Sequence, residues 1–142
     1  MIRKIIPAVA ILFICNFAMY AQSTKSNADT VHYSYNPEVM PEYPGGVHEL
    51  IKFIQLNLKY PKDAVENGIE GKVYVRFVVD HNGDVKDPVI VRGLSPSIDS
   101  TAIAIIQSLP KWTPGTQNGK AVDVFYTTPI LFSLDGVKKK KN

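Results

Sequence analysis

The chain predicts an α+β fold in which a three-stranded antiparallel sheet carries two helices on one face. Three observations lead there. Gly71 to Asp80 alternates, with Val73, Val75, Phe77 and Val79 on one face of an extended chain and Lys72, Tyr74 and Arg76 on the other. Two stretches, near residues 47–58 and 96–109, instead repeat apolar residues at helical spacing. The order helix, strand, hairpin, strand, helix, strand then lets both helices cover the same side of one sheet.

Composition bounds the problem. With 142 residues, 45% of them hydrophobic and 20% charged, the chain has room for one globular domain plus a leader. The formal net charge is +3, but Arg3, Lys4 and the run Lys138 to Lys141 lie at the two ends. The rest sets 10 basic residues against 13 acidic ones. No basic face with interleaved aromatics is evident, so nucleic acid is not an expected partner.

Arg3 and Lys4 precede an apolar run from Ile5 to Ala21, which together read as a signal peptide or N-terminal membrane anchor over residues 1–21. Cleavage after Ala21 is favoured, because Pro7 and Asn16 weaken a stable span. A retained anchor, with its positive end in the cytoplasm, stays open. So does lipidation at Cys15, the sole cysteine, although Ile14 before it is bulky for such a site. Cleavage leaves a mature chain with neither a disulfide nor a thiol nucleophile.

Residues 22–43 are polar and read as a linker, in which His32-Tyr33-Ser34-Tyr35 could add a short edge strand. The domain is expected over residues 44–134, followed by a basic tail at 135–142. Val47, Leu50, Ile51, Ile54 and Leu58 form one apolar stripe of a helix that stops before Tyr60-Pro61. A further helical turn spans Lys62 to Asn67, capped by Gly68. The first strand then runs into Asn82-Gly83, expected to supply both positive-φ positions of a tight hairpin turn. In the second strand Val85, Val89 and Val91 would continue the buried face, and Pro88 makes it an edge strand.

Ser95 and Pro96 open the second long helix as N-cap and first residue. Ile98, Ala102, Ile105 and Leu109 form its inner stripe, widened by Ile103 and Ile106, until Pro110 ends it. Trp112 follows in a breaker-rich loop and reads as a plug on the core rather than a stacking platform. The last strand, Ala121 to Leu134, puts Val122, Val124, Tyr126, Ile130, Phe132 and Leu134 on one face, with a bulge or bend expected at Pro129. Since Pro88 marks the second strand as an edge, the third should pair with the first.

No catalytic set emerges. His32, His48 and His81 fall in a linker, at a helix start and in a turn, without the spacing of a nucleophile and base or of a metal site. Asp80, Asn82 and Asp84 have calcium-loop spacing, but the acidic ligand such a loop needs falls on Val91. No glycine pattern cradles a phosphate. The chain is therefore not read as an enzyme, and no cofactor or metal is expected.

Pro44-Gly45-Gly46, Tyr60-Pro61-Lys62-Asp63-Ala64, Gly68-Ile69-Glu70-Gly71-Lys72-Val73, Phe77-Val78-Val79-Asp80 with Gly83, and Pro110-Lys111-Trp112 with Pro114-Gly115 together resemble the TonB C-terminal domain, in its Bacteroidetes form. The resemblance covers about residues 41–134. It implies a periplasmic domain that binds the TonB box of outer-membrane receptors by strand addition and supports energised transport. It further implies coupling to ExbB and ExbD if the N-terminal helix is retained, and leaves a homodimer open. Carried onto this sequence, the receptor segment would meet the strand edge at Val122, Asp123, Val124, Phe125 and Tyr126, with Tyr60 and Pro61 beside the docking groove. Residues 22–43 reach at most about 75 Å when stretched, shorter than the linker usual in the family. An envelope structural module of the same fold with a non-receptor partner is the alternative.

Overall fold

The computed structural model describes residues 36–138. The leader at 1–21 and the strand expected at 32–35 lie outside the described residues.

The chain from Val39 onward docks before any regular element begins. Val39 and Glu42 make isolated antiparallel bridges with Thr116 and Thr113, and Tyr43 enters the core at 8% exposure. The folded body thus takes in residues from the stretch read as linker. Helix α1 (Val47–Asn57) and the short α2 (Lys62–Glu66) follow, the latter closed by Gly68 at φ 65°. Strand β1 (Gly71–Val79) and β2 (Val85–Arg92) form the hairpin. Helix α3 (Pro96–Gln107) starts where expected, with the Ser95 hydroxyl accepting from the Ile98 N–H and Pro96 in the first turn. A small hairpin, β3 (Thr116–Gln117) with β4 (Lys120–Ala121), leads to β5 (Val124–Phe132) and a final turn, α4 (Asp135–Lys138).

The sheet order is β2-β1-β5, all antiparallel. β1 is the central strand. Val73, Val75, Phe77 and Val79 are fully buried, and across them pack Leu50, Ile54, Ile98, Ala102, Ile105 and Ile106 from the helices. Both long helices therefore lie on one sheet face, as the alternation and the helical stripes require. At roughly 25 cal/mol per Å² this burial is the main stabilising term.

Three expectations need correction. The turn after β1 does not put Asn82 at positive φ: Gly83 alone takes it, at 85°, in a three-residue loop closed by Gly83 N–H to Asp80 O and Asp80 N–H to Asp84 O. Strand β2 does not bury Val89 and Val91, which are 47% and 59% exposed. Two register shifts explain this. The pairing steps from Val78↔Lys86 to Arg76↔Val89, with Asp87 at φ 50°, and from Val75↔Ile90 to Tyr74↔Arg92. Each inserts one extra β2 residue, so the inward positions after Val85 pass to Pro88 and Ile90. Finally, β5 begins at Val124 rather than Ala121, and its register runs through Tyr74↔Pro129 without a bulge.

The hairpin end is held by one buried carboxylate. Asp80, 2% exposed, accepts from the Asn82 and Asp84 N–H groups through Oδ1, and its Oδ2 lies 2.9 Å from Lys86 Nζ. Burial alone would raise its pKa, but Lys86 and the two backbone donors outweigh it and hold the group below the ordinary carboxylate value. Next to it Gly83 accepts from the Trp112 N–H, and a Cβ on Gly83 would stand 2.0 Å from the Trp112 carbonyl oxygen. Trp112 itself, 3% exposed, meets Tyr43, Phe77 and Tyr126 edge-on at 5.6, 5.5 and 5.0 Å. The loop tryptophan is a core plug.

Gly83→Ala combines a left-handed φ with a backbone clash and should cost about 2–4 kcal/mol in urea denaturation. Asp80 has a depressed folded pKa, so its stabilisation is complete above the unfolded value of 3.8 and is lost as pH falls through the lower folded value. Asp80→Asn should remove about 1–3 kcal/mol at neutral pH and flatten the loss of stability expected in the parent chain as pH falls below that unfolded value.

Candidate functional site

Among the described residues β5 carries a strand partner on one side only, that of β1. Antiparallel pairs alternate between hydrogen-bonded and non-bonded types. Pro129 has no N–H and stands opposite Tyr74, which suits the non-bonded type. Thr127 and Leu131, two residues to either side, share its orientation, so their N–H and C=O groups point away from β1. A side-chain contact agrees: Gln55 Nε2 of α1 donates to the Leu131 carbonyl at 3.4 Å.

Helix α1 runs beside this edge. Leu50 and Ile54 of its apolar stripe are buried, but Val47 and Ile51 remain 55% and 51% exposed. Ile51, Ile54 and Gln55 face Pro129, Leu131 and Lys72 across a groove of about 260 Å³. A second groove, of about 470 Å³, continues from Gln55 past Leu58 and Tyr60 to Ser133 and Val137. The edge thus has backbone groups without a strand partner on β5 and apolar side chains on the helix, the combination that receives an extended peptide.

The structure divides the predicted site residues between the two ends of β5. Val122 precedes the strand and donates to the Gly115 carbonyl. Asp123 accepts from the His81 N–H through Oδ1, which also lies 2.8 Å from His81 Nδ1, and so ties the β1–β2 turn to the start of β5. Val124, Phe125 and Tyr126 pair with Val79, Val78 and Phe77. The Phe125 ring lies under the Arg76 guanidinium at 4.9 Å, and Tyr126 joins the Trp112 cluster. Tyr60 and Pro61 stand at the other end. The Tyr60 ring meets Phe132 edge-on at 5.7 Å, its hydroxyl donates to the Ile69 carbonyl, and Pro61 caps α2. Burial first, and then Glu70, push the Tyr60 pKa up. Tyr126 and Phe132 are about 20 Å apart along the strand, so the two groups share one edge without touching.

Sequence reasoning missed Val47, Ile51, Gln55, Pro129 and Leu131 as site residues. A signal existed: Leu131 is an apolar residue out of step with the buried parity of β5, and the apolar stripe of α1 is wider than one small sheet can cover. Of the histidines, His48 is exposed at the start of α1 and His81 serves the turn. Among the described residues no group of three or more His, Cys, Asp or Glu is placed to hold a metal ion, and no helix is long and apolar enough to cross a membrane.

Residues 57–134 match the family model described as the Gram-negative bacterial TonB protein C-terminal, over more than half of the chain. Protein TonB of Pseudomonas putida is 29% identical over 116 residues, which cover 78% of this chain and 45% of that protein. Protein TonB of Helicobacter pylori is 29% identical over 115 residues, covering 80% of this chain and 38% of that protein. The chain therefore spans less than half the length of these relatives. The solution structure of the Helicobacter pylori TonB C-terminal domain superposes with a TM-score of 0.47 at 27% identity, over 61% of this chain and 91% of that one.

Tyr60→Phe keeps the ring against Phe132 but deletes the bond to Ile69. It should cost about 1 kcal/mol in thermal or urea unfolding and leave the sheet register unchanged.

Proposed function

This chain belongs to the TonB C-terminal domain family, and from that premise we propose that the outer edge of β5 receives the TonB box of an outer-membrane receptor as an added strand. The protein acts as a binding partner in the periplasm rather than as an enzyme. Coupling to ExbB and ExbD belongs to the form in which residues 1–21 remain in the inner membrane. The observation that carries the reading is the outward backbone of Thr127 and Leu131 beside the α1 grooves.

The bound segment would exchange backbone hydrogen bonds with Thr127 and Leu131. Pro129, between them, contributes a carbonyl but no N–H, so one bond of the added ladder is absent. Alternate side chains of the segment would face α1 and enter the grooves lined by Ile51, Leu58 and Tyr60. Affinity would come from the backbone and selectivity from those pockets.

Fluorescence anisotropy with synthetic TonB-box peptides tests this. Leu131→Pro removes an outward N–H and leaves the β1 ladder alone, so binding should weaken by about tenfold or more. Val124→Pro instead removes an N–H that faces β1 and should act on stability. A peptide N-methylated at alternate amides should lose binding in one parity only. Unchanged binding by Leu131→Pro, or equal binding by both N-methylated parities, would sink strand addition.

A further inference from the structure

The side of the sheet turned away from the helices carries a regular row of cations. On β1 the residues facing this side are Lys72, Tyr74, Arg76 and Val78, since Val73, Val75, Phe77 and Val79 face the core. Register places Arg92 of β2 beside Tyr74 and Val89 beside Arg76. Register also places Leu131, Pro129, Thr127 and Phe125 of β5 beside Lys72, Tyr74, Arg76 and Val78. Lys72 stands on the first of these rungs, Arg92 on the second and Arg76 on the third. Lys86 follows on the fourth, where it is paired with Asp80. No Asp or Glu holds an outward position on rungs 72, 74 or 76.

The rest of the described chain is different. Most of its acidic residues lie on α1, α2 and α3 and in loops, as with Glu49, Asp63, Glu66, Asp84 and Asp99, while Asp87 is exposed at the β2 bulge between the third and fourth rungs. Lys72 and Arg92 are exposed, while Arg76 is half-buried with its guanidinium laid over the Phe125 ring. Val89, Val91 and Leu131, all about half exposed, add apolar surface to the same region. A single-sign stripe on a slightly acidic body selects a partner of opposite sign.

The spacing narrows the partner further. Rungs on one face of a strand repeat every two residues, about 6.7 Å. An extended peptide with carboxylates at alternate positions has the same repeat on one side, so three successive carboxylates can each meet a cation without either chain bending. We propose that this outer sheet face binds an extended acidic protein segment bearing Asp or Glu at alternate residues, with Lys72, Arg92 and Arg76 as successive contacts. Lys72 also lines the groove between α1 and β5, whereas Arg92 and Arg76 do not, and the proposal does not depend on strand addition at that edge.

The test uses the full chain and two fluorescein-labelled probes of equal length and charge, one alternating Glu and Thr, the other with its Glu and Thr in separate blocks. The alternating probe should bind about fivefold or more tightly, and its affinity should fall steeply with added salt. Lys72→Glu with Arg92→Glu should weaken it roughly tenfold or more, and the neutral pair Lys72→Gln with Arg92→Gln by less. Both positions are exposed, and circular dichroism would verify that the fold is retained. Saturating TonB-box peptide, which would cover Lys72 but neither Arg92 nor Arg76, should leave the alternating probe bound with no greater loss of affinity than Lys72→Gln causes. Equal affinity for the two probes, or no response to charge reversal, overturns the proposal. So does complete displacement by the TonB-box peptide, or a stronger response of these variants in binding to phosphatidylglycerol vesicles, which would assign the row to a lipid surface.

Discussion

Everything in this domain depends on β1 having its backbone paired on both sides while one of its faces is wholly buried. A nine-residue strand with four side chains at zero exposure needs two flanking strands and a layer of helices above it. Those neighbours are β2 and β5, and among the described residues the sheet has no others. Both become edges. The prolines follow the same logic: Pro88 falls at a bulge of the edge strand β2, and Pro129 keeps its missing N–H on the outer side of β5.

The two edges are treated differently. β2 is bent by two bulges, which disturb the regular row of donors and acceptors that another strand would need. β5 is in register from end to end and lies beside the partly exposed apolar side of α1. An uninterrupted edge next to an apolar helix invites an extended segment, and a bulged one resists it. This asymmetry, more than any one side chain, separates the docking edge from the rest of the surface.

The hairpin between β1 and β2 is the most conspicuous local feature of the sequence, yet it serves the fold. Asp80 spends its acceptors on the turn and on Lys86, Gly83 gives its carbonyl to the Trp112 N–H, and His81 and Asp123 bind the turn to the start of β5. Of the groups that resembled calcium ligands, Asp80 is taken up by two backbone donors and Lys86, and Asp84 faces Lys111. The aromatic cluster below, with Tyr43, Phe77, Trp112 and Tyr126, closes the same end of the core.

The sequence by itself determined the elements and their order. Period-2 alternation marks β1, Ser95-Pro96 marks the start of α3, and Pro88 marks an edge, because each follows from local backbone chemistry. Motif spacing also pointed to the TonB C-terminal family. Only the tertiary structure decided which apolar residues remain uncovered. A bulge flips the facing of every residue beyond it, so Val89 and Val91 could not be assigned from parity alone. Val47, Ile51 and Leu131 likewise have the composition of core residues, and their exposure depends on where α1 lies relative to the last strand. The rows of cations and outward amides are properties of register, and register is settled by pairing between strands far apart in the chain.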